Sequence, residues 1–480
     1  MPIQKKNRTF AEQKNSTMFT KDIYTNRRNQ LRSDIKSGLI LLPGNQEASY
    51  NYSKNTYRFR QDSNFLYFFG LNKPNFVGVL DIDSGEDWLF ANDFNMDAII
   101  WMGDMPTVSE LAASVGVQNT APTSELEKMV QKAVQEGRQV HFCEPYRSLT
   151  RYQISQLVGF RYNSVKNFVS KKLVKAIVKQ REIKADYEIK EIEKACDVAY
   201  LMHTEAMKMA KNVGIYEYQI AGRAEGIAME HGGTVSFPVI CSINGQTLHN
   251  HYHGNQITEG RMLVLDTGAE LENGYSSDMT RTVPVGGKFN ERQKAIYEIV
   301  LEANMKSIEM CRPDIKYRDV HFVACLIIAE GLKKLGLMKG DMIEAVEAGA
   351  HTLFFPHGLG HAMGLDVHDM ENLGEDFVGY DKETVRAKEF GTAYLRFGKK
   401  LKEGFVMTVE PGCYFIPQLI KQWHNEHKFG EYINYDEVLK YLDFGGVRIE
   451  DGILITKDGC RVLGKPVPKT VADIEALMAG

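Results

Sequence analysis

No two of the seven cysteines in this chain form a CxxC pair, and their number is odd (Cys143, Cys196, Cys241, Cys311, Cys325, Cys413 and Cys460). A disulfide framework is therefore not expected, and the usage fits reduced, buried thiols in the cytoplasm. The sequence also lacks a run of eighteen apolar residues, which argues against a membrane-spanning helix. Its basic, polar first twenty residues lack the apolar core of a secretory signal. An excess of one charge is missing too. A formal net charge of -4 gives neither nucleic acid nor an anionic membrane an electrostatic reason to bind. What remains is an ordinary globular composition, 43% apolar and 25% charged, spread over 480 residues. That length exceeds what one hydrophobic core usually supports, so two domains are expected.

Residues 1–20 read as a disordered arm. Over residues 21–170 short apolar strands alternate with helices, the pattern of an α/β domain. Gly38 to Gly44, Phe76 to Asp83 and Gln139 to Phe142 read as strands, and Thr107 to Val115 and Ser124 to Gln135 as helices. A charged amphipathic stretch runs from Lys171 to Asn212, with an interruption at Ala185-Asp186. Residues 171–185 are the expected helical connector. Residues 186–480 form the second domain and hold most of the histidines. Two segments within it, Phe377 to Lys400 and Leu419 to Phe444, look inserted.

The second domain repeats a phrase. Glu259-Gly260-Arg261-Met262-Leu263-Val264-Leu265-Asp266-Thr267-Gly268 returns as Glu403-Gly404-Phe405-Val406-Met407-Thr408-Val409-Glu410-Pro411-Gly412. Each copy is an acidic-Gly turn, an apolar run of strand character, a carboxylate, one spacer and a glycine. The spacing is too long for a solenoid period. Two related half-domains fit better, each delivering a carboxylate from a buried strand end. Buried carboxylates are costly unless paired or bound to a cation.

Each copy is followed by a second carboxylate. After the first, Asn273-Gly274 is a turn signal, and alternation beyond it puts Asp278, Thr280 and Thr282 on one strand face. A hairpin would carry Asp278 back beside Asp266. After the second, period two puts Arg448 and Glu450 on one face, with Val447 and Ile449 on the other. Between the copies, Phe354 to Asp369 interleaves His357, His361 and His368 with three glycines, a loop where imidazoles converge. One imidazole and four carboxylates form an oxygen-rich set. It suits two divalent cations such as Mn²⁺, Co²⁺ or Fe²⁺ better than a thiolate-type zinc site. Such a pair can activate water at neutral pH and polarise a carbonyl, a hydrolase's equipment.

The series Asp266, Asp278, His361, Glu410 and Glu450 resembles the ligand set of the pita-bread metallopeptidases, the family of aminopeptidase P, prolidase and methionine aminopeptidase. The stretch from Tyr57 to Gly70 resembles the domain that precedes the catalytic one in aminopeptidase P and prolidase. The resemblance implies an α/β N-terminal domain followed by an α+β pita-bread (creatinase/aminopeptidase-like) catalytic domain with pseudo-two-fold symmetry. It implies that Asp266 chelates one metal, that Asp278 and Glu450 bridge, and that His361 and Glu410 hold the other. Glu410 is then also the proton acceptor from the attacking water. His368 resembles a histidine near the scissile carbonyl, His357 a wall of the proline pocket, and Arg448 and Tyr414 assisting groups. An upstream catalytic histidine is also implied. Matching from the turn at Glu259-Gly260 selects His249, with His253 as runner-up. Asp266 and Asp278 are one residue farther apart than the family's spacing, so Glu272-Asn273-Gly274 is expected to loop out. Trp101 resembles a tryptophan that reaches a neighbouring subunit's site; the alternative is a core aromatic.

The implied cofactor is two divalent ions per subunit, Mn²⁺ first, with Co²⁺, Fe²⁺ or Zn²⁺ as alternatives. The implied partners are peptides with proline second and further copies of the chain, as a dimer or tetramer. The implied reaction removes an N-terminal residue that precedes proline. A prolidase restricted to Xaa-Pro dipeptides is the alternative, and a non-catalytic peptide binder a more distant one.

Overall fold

The computed structural model describes residues 18–480, so the arm expected over residues 1–20 lies outside the described residues as far as residue 17. Phe19, at the end of that span, is buried. The chain divides after Arg181, inside the stretch expected to connect the domains.

In the first unit the apolar runs become a five-stranded mixed sheet. Its order is Asn119–Ala121, Glu86–Phe90, Val77–Asp81, Leu39–Pro43, Val140–His141. Leu39–Pro43 pairs antiparallel with Val77–Asp81 and parallel with Val140–His141. Residues of both central strands are buried with the inner faces of Thr123–Gln135 and Ser148–Val158. Val108–Ser114 begins at a capping box, Thr107 accepting from the Glu110 amide while the Glu110 carboxylate accepts from Thr107. Ser63–Phe69, within the Tyr57 to Gly70 motif, is buried along its whole length and capped by Asp62.

The second unit carries the two copies of the repeat as two antiparallel sheets. Met262–Asp266 lies between Ile240–Ser242 and Thr280–Pro284. Val406–Val409 pairs with Asp451–Ile455, which pairs with Cys460–Val462. The acidic-Gly turns match in backbone as well as sequence: Gly260 has φ 80° and Gly404 φ 85°, the left-handed region that favours glycine. Helices Asp186–Ala210, Glu291–Met310 and Tyr317–Lys334 contribute buried faces to this unit. A threonine ties the first of these sheets to the short strand Gly446–Arg448, which pairs with Gly412–Tyr414. Thr282 Oγ1 donates to the Arg448 carbonyl at 2.9 Å and accepts from the Arg448 amide at 3.1 Å. This is an α+β unit with two related halves.

Asp278 differs from its expected place on the strand. The strand starts at Thr280, opposite Asp266. Residues before it form a separate small ladder, with Glu270 bridged to Ser276 and a turn at Glu272-Asn273. Gly274, beside that turn, takes φ 84°.

Candidate metal centre

The strand ends deliver the carboxylates. Asp266 ends the fully buried strand Met262–Asp266, and its Oδ2 accepts from Arg448 Nη2 at 2.6 Å. Glu450 follows Gly446–Arg448, and its Oε2 accepts from Thr280 Oγ1 at 2.8 Å. Glu410 follows Val406–Val409, with Oε1 3.7 Å from His361 Nε2. Asp278 Oδ2 is 3.3 Å from the same nitrogen. The His361 backbone is locked against the neighbouring strand, its amide donating to Thr408 Oγ1 and its carbonyl accepting from the Thr408 amide. Its Nδ1 is 3.1 Å from the Ala362 carbonyl, so Nδ1–H donates there and the Nε2 lone pair faces the carboxylates. Glycine at 360 is required by this close approach, since a Cβ would lie 2.2 Å from the Thr408 carbonyl oxygen.

Ligand atoms fall into overlapping groups, each within 4.8 Å: Asp266, Asp278 and Glu450; His361, Glu410 and Glu450; Asp278, His361 and His368. Asp278 and Glu450 each belong to two groups. Burial pushes the Asp278 and Glu450 carboxyls well above the ordinary carboxylate range, and neighbouring carboxylates add to the shift. Burial likewise lifts Glu410 to about 7. Three buried oxygens, Asp266 Oδ1, Asp278 Oδ1 and Glu450 Oε1, have no hydrogen-bond partner among the described residues. An unmet buried acceptor costs about 1–3 kcal/mol, and more when charged. Three such carboxylates, with ligand atoms within 4.8 Å of one another, fit divalent cations of oxygen-preferring character.

A chain of hydrogen bonds borders the cluster. Arg448 Nη1 donates to Tyr414 Oη at 2.8 Å, and Tyr414 Oη is 2.8 Å from His357 Nε2. His357 Nδ1 contacts the Gly358 carbonyl, so Nδ1–H donates there and Nε2 accepts from tyrosine. Burial lowers His357 to about 3, so its ring is neutral. His368 packs its ring 4.0 Å from that of His361 and hydrogen-bonds Glu371 through Nδ1.

His249 is exposed in its loop, yet partial desolvation lowers its pKa; Arg448, Asp266 and His368 are among its electrostatic neighbours. His253 instead contacts the Val239 carbonyl through Nε2 at 2.9 Å. Trp101 is not a core aromatic: it is 85% exposed, on the helix Met96–Met102, none of whose residues is buried.

Sequence reasoning missed Glu217 and Asn304. Glu217 is fully buried, its Oε1 accepting from the Ile243 amide at 2.7 Å and Ser242 Oγ at 3.0 Å. Its Oε2 accepts from Asn255 Nδ2 at 2.9 Å. These bonds clamp both ends of the loop that carries His249. No motif marks either residue.

His321, Cys325 and His351 form another buried group. Cys325 Sγ lies 3.5 and 3.9 Å from the two His321 nitrogens. Near-equal distances put the sulfur against the ring, not along either lone pair, which is a packing contact.

Residues 190–457 match Metallopeptidase family M24, and residues 24–141 match Aminopeptidase P, N-terminal domain. The chain is 34% identical to a probable Xaa-Pro aminopeptidase of Fusarium vanettenii, over 88% of this chain and 88% of that protein. It is 30% identical to the Xaa-Pro dipeptidase of Homo sapiens, over 92% of this chain and 89% of that one. Among solved structures, zinc-substituted Escherichia coli aminopeptidase P in complex with product superposes with a TM-score of 0.78. That alignment is 28% identical and covers 96% of this chain and 98% of the other.

Proposed function

The chain belongs to metallopeptidase family M24, and from that footing we propose that it removes the N-terminal residue from peptides with proline second. It is a hydrolase, and it combines an M24 domain with the N-terminal domain of aminopeptidase P. The observation that carries the site assignment is the set of unpartnered buried oxygens on the three converging carboxylates Asp266, Asp278 and Glu450. Asp266, Asp278 and Glu450 would hold one divalent ion, and His361, Glu410, Asp278 and Glu450 the other. Mn²⁺ is our first assignment, with Co²⁺, Fe²⁺ or Zn²⁺ as alternatives. When bound, such ions lower the pKa of water and polarise a carbonyl.

The chain's own residues supply the rest. Glu410 is suited to exchange protons: its side chain keeps 20% exposure, against 6% for Asp278, and burial places it near 7. It accepts the proton of the attacking water and returns it to the departing nitrogen. His249 donates to the oxygen that gains charge, and His368, whose Nδ1–H is held by Glu371, would donate there from Nε2 in its doubly protonated form. Neutral His357, oriented by Tyr414, forms a wall for the proline ring, and Arg448 holds Asp266 and Tyr414 in place.

All seven cysteines are free thiols, which supports a cytoplasmic location. The exposed apolar helix Met96–Met102 supports assembly into a homodimer or tetramer.

Likeness to the human Xaa-Pro dipeptidase favours a second reading, cleavage of dipeptides alone. Rates on Xaa-Pro dipeptides and on Xaa-Pro-Yaa-Yaa peptides separate the two. Faster cleavage of the longer peptides is expected; activity confined to dipeptides would reverse the assignment.

A further inference from the structure

The helix Glu291–Met310 carries one amide that touches the backbone beside both candidate glutamate ligands. Asn304, fully buried, donates from Nδ2 to the carbonyls of Val409 at 3.0 Å and Ile449 at 3.3 Å. These residues immediately precede Glu410 and Glu450. The position is a gap in the sheet. The ladder ends at Val409 opposite Asp451, and pairing resumes at Gly412 opposite Arg448. Pro411 sits in the gap and has no N–H to donate. The Asn304 amide supplies the two donations there, at the fixed angle of one planar group.

The acceptor side of the amide is held as well. Asn304 Oδ1 accepts from Lys469 Nζ at 2.8 Å, and Lys469 also donates to Asp451 Oδ2 at 2.7 Å. Asp451 Oδ1 accepts from Arg281 Nη2 at 2.6 Å, and Arg281 Nη1 donates to the Glu450 carbonyl at 2.6 Å. A buried helix asparagine serving only stability needs its polar atoms satisfied by any partners. Here the two acceptors are the carbonyls one residue before Glu410 and Glu450.

We propose that Asn304 is a positioning residue that sets the spacing of Glu410 and Glu450, and so the affinity of the site for its ions. The inference rests on the metal assignment made above. Removing one outer partner of a metal ligand typically costs 10–100-fold in affinity.

Calorimetric titration of Mn²⁺ into chelator-stripped, full-length protein tests it. Asn304→Leu, close in size but without donors, weakens Mn²⁺ binding by roughly 10–100-fold while circular dichroism shows an unchanged fold. Wild-type affinity in folded Asn304→Leu overturns the proposal. Should Asn304→Leu not fold, Lys469→Met, which removes the ammonium that anchors the amide and also pairs with Asp451, decides by the same readout. Weaker binding in it supports positioning, and unchanged binding overturns it. Glu450→Gln separates the two readings. If it loses Mn²⁺ while Asn304→Leu does not, positioning alone fails. If it binds like wild type, the metal assignment fails and takes this proposal with it.

Discussion

Arg448 donates from Nη2 to Asp266 Oδ2 across 2.6 Å, joining a strand of one half of the catalytic unit to the carboxylate of the other. Its side chain is 4% exposed and that of Asp266 11%. The same guanidinium reaches Tyr414 Oη at 2.8 Å and Thr280 Oγ1 at 3.2 Å, so its planar fork is used on three sides.

Arg448→Met should therefore cost more than one contact. It leaves a buried carboxylate without its cation, a loss of about 3–5 kcal/mol when one partner of a buried pair is removed. Urea unfolding of chelated protein measures it. Saturating Mn²⁺ should restore part of the loss, because the ion binds only the folded state. A variant as stable as wild type without metal would show that Asp266 does not depend on Arg448.

The twice-repeated strand phrase was legible because glycine in the left-handed region and a buried run ending in a carboxylate both leave marks in sequence. The strand Glu86–Phe90 left none, since only its last two residues are buried and alternation never becomes apparent. The start of the Asp278 strand was misplaced for a related reason. Its apolar alternation is real, but hydrogen bonds from Ser276 and Ser277 to other segments hold those residues off the ladder. Asn304 was out of reach. Its partners lie 105 and 145 residues away, and nothing local distinguishes it from an exposed helix asparagine. Ligands announce themselves by residue type, whereas the groups that aim them do so only through long-range contacts.

Proton linkage gives a second prediction. In metal-free protein the Asp278 and Glu450 carboxyls are held well above their ordinary range, and Glu410 near 7. These three carboxyls favour the folded state at low pH and withdraw that support as pH rises through 7, whereas the histidines that burial holds below their ordinary value, among them His203 and His351 at about 4 and His321 and His357 at about 3, favour it as pH rises through the ordinary imidazole range. Chelated Glu450→Gln, which lacks one of the raised carboxyls, should therefore gain in melting temperature relative to chelated wild type as pH rises from 5 to 8. Metal binding must displace these protons, so Mn²⁺ affinity should rise over the same interval. Calorimetry in buffers of different ionisation enthalpy counts the protons released. Release of none at pH 6 would refute the linkage.

Glu217 offers a test of the His249 assignment. Its carboxylate accepts on both oxygens from the two ends of the histidine loop. Glu217→Gln turns one acceptor into a donor facing another donor, and the loop should loosen. A fall in kcat of about tenfold with little change in KM is expected, the signature of an interaction made mainly in the transition state. If Glu217 acts through His249, adding Glu217→Gln to His249→Ala should cost no further activity. Additive losses would assign Glu217 a separate role.

Trp101 can be changed with little risk to the fold. At 85% exposure, on a helix with no buried residue, Trp101→Ala should shift stability by no more than about 0.5 kcal/mol. Ile100 and Met102 flank it at 70% and 67% exposure, an apolar surface of the kind a partner covers. The variant should sediment as a smaller species, or with a weaker association constant, and hydrolyse Xaa-Pro peptides more slowly. Because the fold is spared, such a loss reports on the contact itself. Wild-type sedimentation together with wild-type kcat/KM would remove Trp101 from both the interface and the substrate site.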